Sequence, residues 1–145
     1  MSDARLLAGE RIVLTLWVGG LWAIGYMVAP ALFASLDDRA LAGSLAGVMF
    51  QIIAYVGLVC GALLLLFNQL RNRARRVNWR AGVLVAMLLL TAIGEFVLAP
   101  MIAGLREQGL VEASHFARLH AIASSGYLLT SLLGLSLVIA RPEGA

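Results

Sequence analysis

Four apolar runs, each long enough to cross a lipid bilayer, constrain this chain more than any other feature. About 20 helical residues span a bilayer, and the runs cover about residues 12–36, 46–67, 81–103 and 116–140. Hydrophobic residues make up 61% of the chain, well above the share usual in soluble domains. The sequence therefore predicts an all-α integral membrane protein, with one domain built as a four-helix bundle.

The first run could also be interpreted as a cleaved signal peptide. The apolar region of such a peptide has only about 7–15 residues and ends in an Ala-x-Ala-like site, whereas this run is longer and ends at Ala31–Ser35. We therefore expect a retained transmembrane helix. Pro30 lacks an amide proton and is expected to kink that helix near its end.

Arginine residues predict the orientation of the bundle. All eleven basic residues are arginines, and Arg71–Arg76 with Arg80 lies between the second and third runs. Short basic loops remain in the cytoplasm, so residues 68–80 are predicted to form a cytoplasmic loop. Eight arginines then lie on that side and three on the other, which predicts that both termini are cytoplasmic.

The composition also indicates a compartment and excludes one class of partner. Arginine without lysine, together with abundant Ala, Gly and Leu, is typical of GC-rich bacterial genomes. We therefore predict a multi-pass protein of the bacterial inner (cytoplasmic) membrane, with the lipid bilayer as its partner. The basic cluster has no interleaved aromatic residues, so nucleic-acid binding is not expected.

Two glycine pairs and one cysteine bear on how the helices assemble. Gly43-x-x-x-Gly47 and Gly57-x-x-x-Gly61 have the spacing that lets helix backbones approach closely. They predict close packing within the chain or, as the alternative, a face for a homo-oligomer. Cys60 is the only cysteine, so an intrachain disulfide is excluded.

A short internal echo relates the first and third runs. Ala23–Gly25 followed by Val28–Pro30 is similar to Ala92–Gly94 followed by Val97–Pro100, with one residue of slippage. The echo predicts two related helical hairpins in parallel orientation. A chance match between helices rich in Ala, Gly and Val is the alternative.

Polar side chains inside the apolar runs indicate a candidate site. Placing an ionisable side chain in the hydrocarbon of a membrane costs several kcal/mol unless the side chain is paired or hydrated. Glu95 and His120 are such residues. A rise of about 1.5 Å per residue places both in the outer half of the membrane, and helical spacing puts His120, Ser124 and Tyr127 on one inward face. The predicted pocket residues are Glu95, His120, Tyr26, Gln51, Tyr55, Thr91, Ser124 and Tyr127.

The pocket has three alternative interpretations. One is a structural hydrogen-bond cluster of Glu95 with His120 or Arg118. Another is proton or solute handling, in which a desolvated Glu95 exchanges a proton with His120. The third is a soft-metal site, because thioether and imidazole ligands suit Cu(I); its candidate ligands are His120, Glu95, Met27, Met49 and Met101.

Signatures of enzymes are weak in this sequence. It has no nucleophile with an adjacent base, no phosphate-binding loop and no tight metal-ligand spacing. His115 and His120 are about 140° apart around a helix and could not share one ion, so His115 is expected at the wet interface. The predicted function is binding or permeation of a soft metal ion, proton or small solute. The alternatives are a structural helper subunit and a haem-pathway or redox membrane enzyme.

Motifs in all four runs resemble a known family. The segments Trp17–Trp22, Val28–Phe33, Ala42–Phe50 and Phe116–Ser124 are similar to the family of the eukaryotic transmembrane protein 205 and its bacterial relatives. In that family the last motif reads Phe-x-x-x-His-Gly-x-Ser-Ser. Here Ala121 replaces the glycine, and the serine pair comes one residue later.

The resemblance implies a small four-helix membrane protein. It carries the family's histidine over to His120, and the Glu/Pro ending of the third helix over to Glu95 and Pro100. The eukaryotic member's association with platinum-drug resistance favours a soft-metal or efflux role. The four-helix membrane protoporphyrinogen oxidases are similar in size, but this chain lacks the lysine expected of them, which makes haem a less favoured cofactor.

Overall fold

The structure is a computed structural model, and it describes residues 3–71, 78–111 and 114–140. Within these ranges every regular element is a helix, and there is no strand. The predicted basic loop is described only at its two ends, and Glu112 and the Arg141-Pro142 pair also lie outside the described residues. The elements are α1 (Asp3–Ala23), a first π-turn (Ile24–Val28), α2 (Ala29–Ser35), α3 (Arg39–Arg71), α4 (Trp79–Ile93), a second π-turn (Gly94–Leu98), α5 (Ala99–Glu107) and α6 (Ser114–Ile139).

Four continuous helical rods in the described ranges are long and apolar enough to cross a membrane. This confirms the predicted all-α, four-helix membrane architecture. Consecutive rods pack against each other and the fourth also contacts the first, which closes the bundle. We call the rods the first to fourth spans: Ala4–Ser35, Arg39–Arg71, Trp79–Glu107 and Ser114–Ile139.

The helices extend beyond the apolar runs because polar residues cap them. Asp38 begins α3 by accepting hydrogen bonds from the amides of Ala40 and Leu41, at 2.8 and 3.1 Å. Asn78 caps α4 in the same way through the Ala81 amide, at 2.8 Å. Both are residue types that favour this position. The predicted polar turn at residues 37–39 is therefore shorter than expected, since α3 already starts at its last residue.

The two π-turns occupy matching places before an Ala-Pro pair. The amide of Ala29 donates to the Ile24 carbonyl, and the amide of Ala99 donates to the Gly94 carbonyl. A proline within a helix clashes with the preceding turn and removes a donor, and a widened turn relieves that clash. The irregularity predicted at Pro30 therefore takes the form of a π-turn, and a second π-turn precedes Pro100.

The matching π-turns also change the alignment of the predicted echo. When the first and third spans are aligned on their prolines, the two π-turns cover equivalent positions. This alignment differs by one residue from the alignment of the two Ala-Ile-Gly segments. Gly25 in the first span then corresponds to Glu95 in the third. The relation between two parallel hairpins stays a prediction.

The core surrounds Trp17, which is fully buried together with Met87. Gly57 and Gly61 of α3 are buried against the Trp17 ring. A Cβ atom on Gly57 would collide with this ring, and one on Gly61 would collide with Leu88. The second glycine pair therefore permits close packing within the chain, one of its two predicted roles. Homo-oligomer formation stays a prediction.

Candidate functional site

Glu95 and Gln51, two of the predicted pocket residues, meet between the third and second spans. Gln51 Nε2 donates a hydrogen bond to Glu95 Oε1 at 3.2 Å. Glu95 is half-buried in the second π-turn, while Gln51 is exposed. The carboxylate therefore has a neutral amide partner and remains partly accessible.

Tyr127 lies inside the bundle beside the first π-turn. Its hydroxyl donates to the Leu21 carbonyl oxygen at 2.6 Å. The ring packs edge-on against Phe50, with 5.0 Å between centroids, and approaches Tyr26 at 6.4 Å. A Cβ atom on Gly25 would collide with the Tyr127 ring, so the glycine is required for this approach.

Each π-turn thus contacts the second helix of the other hairpin. In the first π-turn, Gly25 makes room for the Tyr127 ring of the fourth span, and the Tyr127 hydroxyl bonds to Leu21 in the preceding turn of α1. The second presents Glu95 to Gln51 on the second span. Of these two related positions, only the second carries an ionisable side chain.

His120 and Ser124 lie elsewhere than their predicted inward face. Both are exposed, and the His120 ring stacks on Phe116 with 6.1 Å between centroids and an interplanar angle of 6°. Leu119 is the buried residue at this level. Among the described residues, His120 has no hydrogen bond to Glu95. One heptad turns a straight helix by only about 20°, so His120 and Tyr127 share a face. That face is covered by the first π-turn at Tyr127 and is exposed at His120.

Thr91 and Tyr55 flank the Glu95–Gln51 pair without bonding to it. The Thr91 hydroxyl donates to the Met87 carbonyl of its own helix at 2.8 Å. Tyr55 is exposed and packs edge-on against Phe96, with 6.2 Å between centroids. Thr91 and Tyr55 therefore lie next to the Glu95–Gln51 pair but are not part of its hydrogen bonding.

The predicted soft-metal ligands differ in their exposure. Met27 is 70% exposed and Met101 is 44% exposed, while Met49 is half-buried. Within the part of the chain that the structure describes, no group of three or more His, Cys, Asp or Glu residues could hold a metal ion. Met101 instead lines a groove of about 290 Å³ together with His115. Metal binding stays a prediction.

Arg106 is a site residue that the sequence analysis did not identify. Its guanidinium lies over the first glycine pair, because a Cβ atom on Gly43 would be 3.2 Å from Nη2 and one on Gly47 would be 3.7 Å from Nη1. Gln51 follows Gly47 by four residues, about 6 Å along α3. Among the described residues Arg106 forms no ion pair.

Arg106, Gln51 and Glu95 therefore form a polar column that follows one face of α3. A signal for this column is present in the sequence. Gly43, Gly47 and Gln51 recur every four residues, which makes a small-residue groove that ends at a polar side chain. Nothing in the sequence, however, indicates which arginine would enter it.

A second missed cluster lies at the other end of the bundle, which we call the basic end. Glu10 is 7% exposed and accepts from Arg71 and from Arg80, the latter at 2.7 Å. The side-chain amides of Asn68 and Asn78 bond each other reciprocally beside it. From the sequence, both arginines indicated only the orientation of the bundle.

Comparison with known proteins gives one match. The model of a family described as a domain of unknown function, DUF4149, matches residues 12–110, more than half of the chain and the part that contains both π-turns. The fourth span and its Phe116–Ser124 motif lie beyond the match. No curated protein and no solved structure matches the chain. The resemblance to the transmembrane protein 205 family stays a prediction.

Proposed function

This chain belongs to the DUF4149 family of domains of unknown function, and we propose that it is a membrane permeation module in which Glu95 binds and releases a proton. The observation that carries the proposal is the hydrogen bond between the half-buried Glu95 carboxylate and the neutral Gln51 amide. Ionisable groups within a span are expensive and commonly mark ion or proton pathways. π-turns also occur frequently at functional sites.

Gln51, the hydrogen-bond partner of Glu95, can bond to the carboxyl group in both its charged and its neutral form. An ionised carboxylate accepts a hydrogen bond from the amide nitrogen of Gln51, and a protonated one can donate to the amide oxygen after the amide turns over. Neither state leaves a buried cation without its counter-ion. Gain and loss of a proton at Glu95 therefore require only a local rearrangement.

A path for protons to Glu95 is proposed from the end of the bundle opposite the basic end. Both π-turns and α5 contain no buried residue, and the column from Arg106 leads along α3 towards Gln51. On the other side, the fully buried Trp17 and Met87 close the bundle. We therefore propose a half-channel that opens at the end opposite the basic end. On the predicted orientation this opening faces away from the cytoplasm.

The charge of Arg106 helps to select the solute. A guanidinium near the entrance disfavours the approach of a metal cation. The proposed cargo is thus a proton, alone or with a small neutral or anionic solute. Proton handling is therefore preferred to the soft-metal alternative.

The proposal is tested by proton flux into vesicles. The purified full-length protein is reconstituted with a trapped pH-sensitive dye, and a pH step is applied in each direction. We expect Glu95→Gln to reduce flux to the level of empty vesicles, while Glu107→Gln, which removes an exposed carboxylate of the same span, leaves it unchanged. Flux that persists in Glu95→Gln, or is absent from the wild-type protein, would overturn the proposal.

A structural role for Glu95 is the second candidate function, favoured by the fact that its hydrogen bond joins two spans. The two functions differ in what Gln51→Leu does. If Glu95 is structural, Gln51→Leu and Glu95→Leu should both lower the unfolding midpoint, and the infrared carboxyl band of Glu95 should not titrate. If Glu95 carries a proton, a carboxyl band should titrate in the wild-type protein and vanish in Glu95→Gln.

A further inference from the structure

A groove of about 380 Å³ opens between the first and fourth spans at the basic end. Two charged residues that line it, Glu10 and Arg80, are buried, whereas Arg11 and Thr15 are exposed at its edge. Leu14 and the last turn of α6 supply apolar walls. The groove is therefore amphiphilic, with charge on one side and hydrocarbon on the other.

Among the described residues, the charges around this groove do not balance. Both carboxylate oxygens of Glu10 are already bonded, one to Arg71 and one to Arg80, so one negative charge faces two guanidinium groups. The Arg71 side chain is only 9% exposed, and its Nε and Nη2 atoms have no hydrogen-bond partner among the described residues. Arg11 adds another positive charge. Because buried charge without a counter-ion is costly, the groove favours an anion.

The position of the groove along the bundle indicates where that anion would come from. Arg11 immediately precedes the first apolar run, and the fourth span ends at Ile139, which is 74% exposed. Arginines at the ends of spans lie at the level of lipid headgroups. The groove therefore crosses the boundary between headgroups and acyl chains.

We infer that this groove binds the phosphodiester headgroup of an anionic phospholipid. Arg11 and Arg80 face the phosphate, and an acyl chain lies along Leu14 and Val138. Guanidinium groups form strong charge-assisted hydrogen bonds to phosphate, and basic pockets between spans hold anionic headgroups. This site is at the opposite end of the bundle from Glu95 and does not depend on the function proposed there.

The test measures lipid binding to the full-length protein in detergent by native mass spectrometry. Phosphatidylglycerol is the anionic probe, and phosphatidylcholine is the zwitterionic comparator. Arg11→Gln should weaken phosphatidylglycerol binding about fivefold, the effect of one arginine at headgroup level. Thr15→Phe should weaken it as well, by filling the groove without changing charge. Arg5→Gln removes an exposed arginine at the same end that does not line the groove, and should have no effect.

Three results would overturn the inference. These are equal affinity for the two lipids, equal loss in Arg5→Gln and Arg11→Gln, or unchanged binding in Thr15→Phe. Inorganic phosphate that competes as well as short-chain phosphatidylglycerol would assign the site to free phosphate instead of lipid. Arg80→Gln removes a buried partner of Glu10 and is expected to unfold more readily, so the Arg11 and Thr15 variants decide the outcome.

Discussion

Glu10 and Glu95 are carboxylates in one bundle, and the halves of the molecule around them are built differently. Glu10 is buried between two arginines, and Trp17, Leu64 and Met87 of the core each lie seven residues from a member of that cluster. Glu95 is half-buried, has a neutral partner, and lies in a half where neither π-turn has a buried residue. The basic half holds the fold together, and the other half keeps polar groups accessible.

The largest expected effect is at the ion cluster. Glu10→Gln leaves two buried guanidinium groups without their counter-ion, and we expect the free energy of unfolding to fall by about 3–5 kcal/mol. The measurement is denaturant unfolding in detergent, followed by tryptophan fluorescence. A loss below 1 kcal/mol would show that this cluster is solvated and does not hold the basic half together.

The second prediction concerns the glycines of the core. Gly57→Ala places a methyl group against the Trp17 ring, and overpacking of this kind costs about 1–3 kcal/mol. Gly82→Ala is the matched control, because nothing lies within 4 Å of a Cβ atom there and alanine favours helix. Thermal unfolding of the two variants should therefore shift in opposite directions. Equal shifts would mean that the interface around Trp17 can adjust.

The third prediction compares the two π-turns directly. Gly25→Ala forces the Tyr127 ring to move, and we expect a loss of about 1 kcal/mol, at the low end for overpacking, because the ring lies in the looser half. Gly94→Ala meets no atom within 4 Å and should be neutral or slightly stabilising. The same unfolding assay measures both. A comparable loss in Gly94→Ala would indicate that both π-turns are equally tightly packed.

The smallest expected effect on stability is that of Glu95→Gln. The new amide keeps a hydrogen bond to Gln51, so unfolding should change by no more than about 0.5 kcal/mol, although proton flux is lost. The same substitution is thus predicted to be severe at residue 10 and mild at residue 95. A stability loss at Glu95 as large as that at Glu10 would remove the distinction between the two halves and favour the structural role.

Part of the site could be predicted because depth along a helix can be counted. Rise per residue placed Glu95 and Gln51 at similar depth, and the structure brings them together. Whether a neighbouring span covers a given level of that face cannot be counted from one helix. His120 and Tyr127 share a face to within about 20°, but His120 is exposed beside Phe116, while Tyr127, two turns further along, packs against Gly25.

The sequence by itself determined the four spans, because the length and hydropathy of each run depend only on neighbouring residues. It also indicated the repeated Ala-Pro ending, since a proline distorts its own helix wherever that helix packs. Only the tertiary structure decided which distant groups meet: Glu10 with Arg71 and Arg80, Arg106 with the glycine groove, and Tyr127 with the first π-turn. These pairings depend on how the helices are rotated and offset against one another, which is set by contacts among all four spans together.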